Sequence, residues 1–165
     1  MATNDITKQR LLRLSIFHYK SENKTEEEAH NYVADVAAKA AHIHAKHGMH
    51  SYIQYHAPSA FQEVIQNMNI QNKRGWTIDD HDFAVEFYFR TFEEVTKVTL
   101  DPDFQAMQQE EEPWVSKHHI VTSLGWVETF VQDGKVVNIQ DGKSTFPQFA
   151  AMTDLSSLTG GGAQQ

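Results

Sequence analysis

A chain of 165 residues, 40% hydrophobic and 22% charged, has the size and composition of one globular domain with one substantial core. Its net charge of −8 excludes a basic, phosphate-gripping face, so no nucleic-acid partner is expected; no segment approaches the ~20 apolar residues of a membrane span, and the polar start lacks the apolar core of a signal peptide, so a cytoplasmic location off the membrane is expected. The absence of cysteine removes disulfides, thiol nucleophiles and cysteine-ligated metals, and leaves ten histidines, a high count, to be explained.

Residues 1–9 read as a flexible arm. Arg10 to Tyr19 alternates as a strand, with Leu12, Leu14, Ile16 and His18 on one face and Leu11, Arg13, Ser15 and Phe17 on the other. Thr25 to Glu28 is a capping box and starts a helix that runs to about His47, with Ala29, Val33, Val36, Ala37 and Ala40 as its apolar stripe and Gly48 as its stop. A second strand, His50 to His56, sets His50, Tyr52, Gln54 and His56 on one face, and Pro58 ends it. Ser59 to Met68 can form a short helix before a loop. Asp82 to Arg90 is a third strand, with Phe83, Val85, Phe87 and Phe89 opposite Ala84, Glu86, Tyr88 and Arg90. A second capping box, Thr91 to Glu94, opens another helix, which Asp101-Pro102 restarts and Pro113 stops. His119 to Gln132 reads as the last long strand, and Asp133-Gly134 as a hairpin turn into a return strand from Lys135 to Ile139. From Asp141 onward the chain reads as an irregular tail, with a disordered end at 160–165.

This order, β-α-β then β-α-β, predicts an α+β domain over residues 10–140 with a ferredoxin-like antiparallel sheet. Helices cover only one face of such a sheet. The large apolar residues on the other predict that a second copy of the chain closes it, giving a homodimeric α/β barrel.

Several segments carry a resemblance: Arg13-Leu14-Ser15-Ile16, then Tyr52-Ile53-Gln54-Tyr55-His56, then Leu100-Asp101-Pro102-Asp103-Phe104, then Glu112-Pro113-Trp114. In this order and spacing they resemble the EthD-type family of the dimeric α/β-barrel superfamily, and within it the fungal branch of decarboxylases and related lyases that act on anthrone- and anthraquinone-type aromatics. The resemblance implies a small aromatic or polyketide-derived substrate, no cofactor, and roles for Tyr32 and Asp35 on the first helix in substrate binding. Val36 and Ala37 stand where such proteins often carry a further histidine.

The polar face of the second strand is the first candidate for chemistry. Polar side chains buried dry are costly, whereas beside a ligand they gain a use. His56 and Tyr52 are expected to move protons, with Gln54 orienting them. His18, at the end of the first strand, can reach the same cavity. Glu86 reads either as a buried base with a raised pKa or as a satisfied polar residue, and Arg90 either as a clamp for a substrate carboxylate or as half of a surface ion pair. Trp126 is a stacking surface for a planar ligand. His42, His44 and His47 are placed as helix-end residues favoured by the dipole, and no metal is expected because no ligand signature is present. Three functions fit: a lyase or isomerase (decarboxylation, dehydration or cyclisation), a cofactor-free monooxygenase, or a non-catalytic ligand-binding or stress-response barrel.

Overall fold

A computed structural model describes residues 10–158; the arm expected at 1–9 and the disorder expected at 160–165 lie outside the described residues. Strand β1 (Leu11–His18), helix α1 (Glu26–Lys46), β2 (Ser51–His56), α2 (Ser59–Gln71), β3 (Phe83–Phe89), α3 (Phe92–Thr99), α4 (Pro102–Glu110) and β4 (Val121–Val127) follow in order. The four strands form one antiparallel sheet in the order β2-β3-β1-β4, with β3 and β1 central. This is the ferredoxin-like arrangement that the two tandem βα units predict.

Local chemistry sets the helix ends. The Glu28 backbone N–H donates to Thr25 Oγ1 at 3.2 Å and the Thr25 N–H to Glu28 Oε2 at 2.9 Å, the reciprocal cap read from the sequence. Gly48 takes φ +83°, the left-handed conformation that a side chain disfavours, and α1 stops there. Asp101 caps α4 through the Asp103 N–H at 2.9 Å, while its Oδ2 accepts from Lys46 Nζ at 2.8 Å and His47 Nε2 at 2.7 Å. Lys46 and then His47 hold this carboxyl well below the usual carboxylate range. That junction ties the C-terminal end of α1 to the start of α4 and sets Phe104 and Met107 against Ala40 and Ile43.

Register decides which sheet face the helices cover. Leu14 pairs with Phe87 on one side and Leu124 on the other, and Tyr52 pairs with Phe87, so these residues share a face. Alternation then puts Leu12, Ile16, His18, Phe83, Val85, Phe89, Gln54 and His56 on it too. The helices pack here, because it holds the most apolar set. The Tyr52–Gln54–His56 stripe therefore faces the helices of its own chain and not the open face. The open face carries Ile53 and Tyr55, both about half exposed, and a polar network in which Glu86 accepts from Arg13, from Ser15 Oγ at 3.2 Å and from Tyr88 Oη at 2.9 Å.

The chain beyond the sheet differs from its sequence reading. Strand β4 spans Val121–Val127, shorter than 119–132, because His119 adopts φ +57° and the chain leaves the sheet after Val127. Asp133-Gly134 does turn a hairpin, between β5 (Val131–Gln132) and β6 (Lys135–Val136), with φ +50° and +74°. Asp141-Gly142 repeats the device between β7 (Ile139–Gln140) and β8 (Lys143–Ser144), with φ +51° and +75°, where an irregular tail was expected. A short helix α5 (Phe149–Met152) follows, and Met152 and Leu158 are almost wholly buried. Arg10, also buried, pins this segment: Nη1 donates to the Met152 carbonyl at 2.9 Å and the Asp154 carbonyl at 2.5 Å, and Nη2 to Ser157 Oγ at 2.8 Å. Leu158 packs against Leu12, Phe87 and Phe89, so the last described residues belong to the core. No helix among the described residues is long and apolar enough to cross a membrane.

Candidate active site

A cavity of about 200 Å³ lies between the helix-covered face of the sheet and α1, α3 and α4. Its walls are mainly apolar, from Leu14, Ile16, Val85 and Phe87 on the strands to Val36, Val98 and Phe104 on the helices. Few polar groups reach it, and what each is bonded to decides what it can do.

His44 is the most informative. It continues the apolar stripe of α1, four residues past Ala40 and eight past Val36, and is only 2% exposed. Its ring stacks on Tyr52 (centroids 4.7 Å, 10°) and on Phe87 (5.0 Å, 19°), and Phe104 meets it edge-on at 5.7 Å. Nδ1 lies 2.5 Å from the Ala40 carbonyl. A carbonyl only accepts, so Nδ1 carries the proton and Nε2 keeps its lone pair. That Nε2 is buried with no partner. Burial lowers the pKa of the ring, the Ala40 carbonyl opposes the shift, and His47 adds to it. The result is a neutral imidazole, fixed in plane and tautomer, with an unused basic nitrogen in an apolar chamber. Sequence reading set His44 aside as a helix-end residue; its place in the i, i+4 series with Val36 and Ala40 was the signal available. It is the cavity histidine of α1, two turns beyond the Val36 position where the resemblance led one to look.

Of the residues expected on β2, two reach the cavity. Gln54 Nε2 donates to Tyr52 Oη at 2.9 Å and to the Val33 carbonyl at 2.7 Å. Both amide protons are thus engaged, and the Tyr52 hydroxyl, already accepting, has its own proton left to donate. Burial raises the Tyr52 pKa, so it is an acid or hydrogen-bond donor rather than a base. His56 is elsewhere. It is exposed at the outer end of the edge strand β2, and its Nδ1 lies 2.7 Å from Nδ1 of His30. One nitrogen of that pair must donate and the other accept, so the two rings share a proton with each other rather than offering one to the cavity.

At the other end of the cavity stand His18, Tyr32 and Glu111. His18 Nδ1 is buried without a partner; burial lowers its pKa, and His81 lowers it further. Tyr32 stacks flat on Trp114 (4.8 Å, 5°), its hydroxyl is buried without a partner, and burial, with Glu111 and Glu110, pushes its pKa up to about 12. Glu111, absent from the sequence reading, has its pKa raised by burial, with Lys117 opposing.

The remaining expected residues do not line the cavity. Asp35 is exposed on α1. Glu86 is on the open face; burial would raise its pKa, but Arg13, Tyr88 and Ser15 together lower it, so it is a satisfied anion and not a base with a raised pKa. Arg90 follows β3, where its N–H donates to Glu94 Oε2 at 2.8 Å. Trp126 packs beside Leu12 and Phe149, and its Nε1 donates to Glu128 at 3.0 Å. Among the described residues, Asp79, Asp80 and His81 come close enough to hold an ion. Both ring nitrogens of His81 are engaged, Nδ1 with Asp79 at 2.5 Å and Nε2 with the His119 carbonyl at 3.0 Å, so the ring has no lone pair to give.

A fixed neutral base at one end of an apolar chamber, with hydrogen-bonding side chains at the other, suits proton abstraction from a weakly acidic, largely apolar molecule. Comparison with known proteins gives a family and a fold. The EthD domain matches residues 21–118. A protein of Aspergillus terreus named "Putative oxygenase" is 42% identical over 139 residues, 84% of this chain and 87% of its own. Decarboxylase nsrE of Aspergillus novofumigatus is 25% identical over 77% of this chain and 84% of its own, and Decarboxylase claH of Passalora fulva 25% over 78% and 83%. Among solved structures, a dimeric ferredoxin-like protein of unknown function from Thermobifida fusca superposes with a TM-score of 0.50 at 12% identity, covering 73% of this chain and 93% of its own, which supports the fold.

Proposed function

The chain belongs to the EthD domain family, and on that premise we propose that it is a cofactor-independent enzyme acting on an aromatic, polyketide-derived small molecule, with His44 as the base. The observation that carries this reading is the buried, partnerless Nε2 of a histidine whose Nδ1–H is committed to a carbonyl. An unsatisfied buried polar atom costs stability, and this one belongs to a residue that lines the cavity, where a substrate can meet it.

Oxygenation is the fate we place first. His44 takes a proton from a ring CH2 flanked by aromatic rings. The carbanion then reduces molecular oxygen, and carbon and oxygen join as a hydroperoxide once the His44 proton returns. Loss of water leaves a carbonyl, so CH2 and O2 become C=O and H2O with no other reductant. Two observations favour this over decarboxylation, the first of the sequence readings. No lysine or arginine is among the residues that line the cavity to seat a carboxylate, and the relative at 42% identity carries an oxygenase name. The relatives near 25% identity carry decarboxylase names and support the second fate, in which CO2 leaves and a proton takes its place. In either case we take the open face of the sheet as the surface on which a second copy pairs.

An oxygen electrode decides. With an anthrone as substrate, one O2 is expected to disappear per molecule converted, and His44→Phe is expected to lower turnover by about 10²–10⁴-fold without lowering the melting temperature. Release of CO2 from a carboxylated anthraquinone with no oxygen uptake would put decarboxylation first. Full turnover by His44→Phe would remove it as the base.

A further inference from the structure

Proton removal at one end of a conjugated substrate moves negative charge to its other end. In an anthrone-type ring the acidic carbon and the carbonyl oxygen sit on opposite edges, so the site needs a donor facing its base across the cavity. Building on the His44 reading, we propose that Glu111 is that donor: a carboxyl that stays protonated and hydrogen-bonds, together with the Tyr32 hydroxyl, to the oxygen on which charge develops. The substrate is then a planar molecule bearing its acidic C–H and its carbonyl on opposite edges.

Position supports this. Glu111 lines the cavity and also a neighbouring hollow of about 530 Å³ walled by His18, Gln105, Gln108, Gln109 and Lys117, so it stands where the chamber meets its polar approach. The Tyr32 hydroxyl, at the same end, is buried with nothing to bond to. That hydroxyl and a protonated Glu111 would together suit one acceptor oxygen.

The surroundings disfavour the charged carboxylate, with Lys117 opposing. Glu111 caps the C-terminal end of α4, where the helix dipole disfavours an anion. Burial disfavours it further. The groups that face it are Tyr32 from α1, Tyr52 from β2, His18 from β1 and Lys117 from the following loop. Lys117, the cation among them, is drawn to Glu112 at 3.5 Å, and neighbouring Glu110 is engaged with Lys39 at 3.4 Å. Burial lowers the pKa of His44 while it raises that of Glu111, and the two shifts converge. Each shift favours the uncharged form of its group, imidazole on one side and carboxylic acid on the other.

Turnover against pH is expected to be bell-shaped, with limbs that belong to the His44–Glu111 pair. Glu111→Ala should lower kcat about 10²-fold while KM moves less. Glu111→Gln, which restores an uncharged donor, should recover about tenfold of that loss and abolish the alkaline limb. An unchanged alkaline limb in Glu111→Gln, or a wild-type kcat in Glu111→Ala, overturns the proposal. Binding of a dihydroxyanthraquinone, an unreactive quinone followed by its visible absorbance, separates Glu111 from the reaction itself. Its affinity should fall with rising pH in the wild type and be flat in Glu111→Gln. If that pattern appears while His44→Phe keeps its turnover, Glu111 stands and the base assignment falls. A flat wild-type affinity beside an inactive His44→Phe overturns Glu111 alone.

Discussion

The two faces of the sheet treat polar groups in opposite ways. On the open face Arg13, Ser15 and Tyr88 all donate to Glu86 and hold its charge, while Arg13 Nε is left without a partner. On the helix-covered face His18, Tyr32 and His44 each leave a buried polar atom without a partner. Charge density alone would have pointed to the open face as the reactive one. The cavity points the other way: His18, Tyr32 and His44 leave polar atoms unpaired where a ligand has room to meet them, whereas the open-face groups gather on one carboxylate.

The comparison can be broken in several places. The largest effect is expected on the open face at its exposed edge strand, β2. Tyr55→Glu should halve the mass in solution, from twice 18.9 kDa to 18.9 kDa, as measured by light scattering, because a carboxylate cannot be desolvated against a second sheet. A wild-type protein already of the smaller mass would end the pairing proposal.

Next is Arg13→Met, which leaves Glu86 partly buried without its cation. A loss of about 1–2 kcal/mol in unfolding free energy is expected, with turnover per folded molecule kept. Its sign with pH is fixed. The folded-state pKa of Glu86 is lowered from 4.5, so its contribution is complete above that value and fades as pH falls through the folded one. The gap between variant and wild type should therefore close in acid. A gap independent of pH would show that Arg13 acts by packing alone.

The smallest effect is expected from His56→Ala. The sequence put His56 at the centre of the chemistry, whereas the structure pairs it with His30 at the edge of the sheet, away from the cavity. Turnover within about twofold of wild type is expected. A large loss would return His56 to the site and restore the sequence assignment.

Much of the fold was legible because it rests on short-range rules. Thr25 and Glu28 cap each other, Asp101-Pro102 restarts a helix, and alternation puts Phe83, Phe87 and Phe89 on one face. The site was half legible. Tyr52 and Gln54 were found as polar residues on an apolar strand face, and His18 by its row. His44 was not, since a histidine near a helix end has a sufficient local explanation, and its stacking on Phe87 joins residues 43 apart. Glu111 follows a run of acidic and amide residues that reads as a solvated surface. Only the cavity beside it shows that one of them turns inward. The alternation of β2 groups Tyr52, Gln54 and His56 on one face, but period two gives two faces and does not say which one the helices choose.

Arg10 and the segment it grips bear on how the molecule is made. Nη1 and Nη2 of the guanidinium meet acceptors 142 to 147 residues later in the chain, and Leu158 packs among β1 and β3 side chains. The first strand is thus synthesised long before the segment that completes its surroundings. Contacts so far apart in sequence close late and slowly. A nascent or trimmed chain ending at 140, the boundary that secondary structure suggests, would hold a buried cation with nothing to bind and a hole in its core. The segment after the sheet sets when this protein counts as finished.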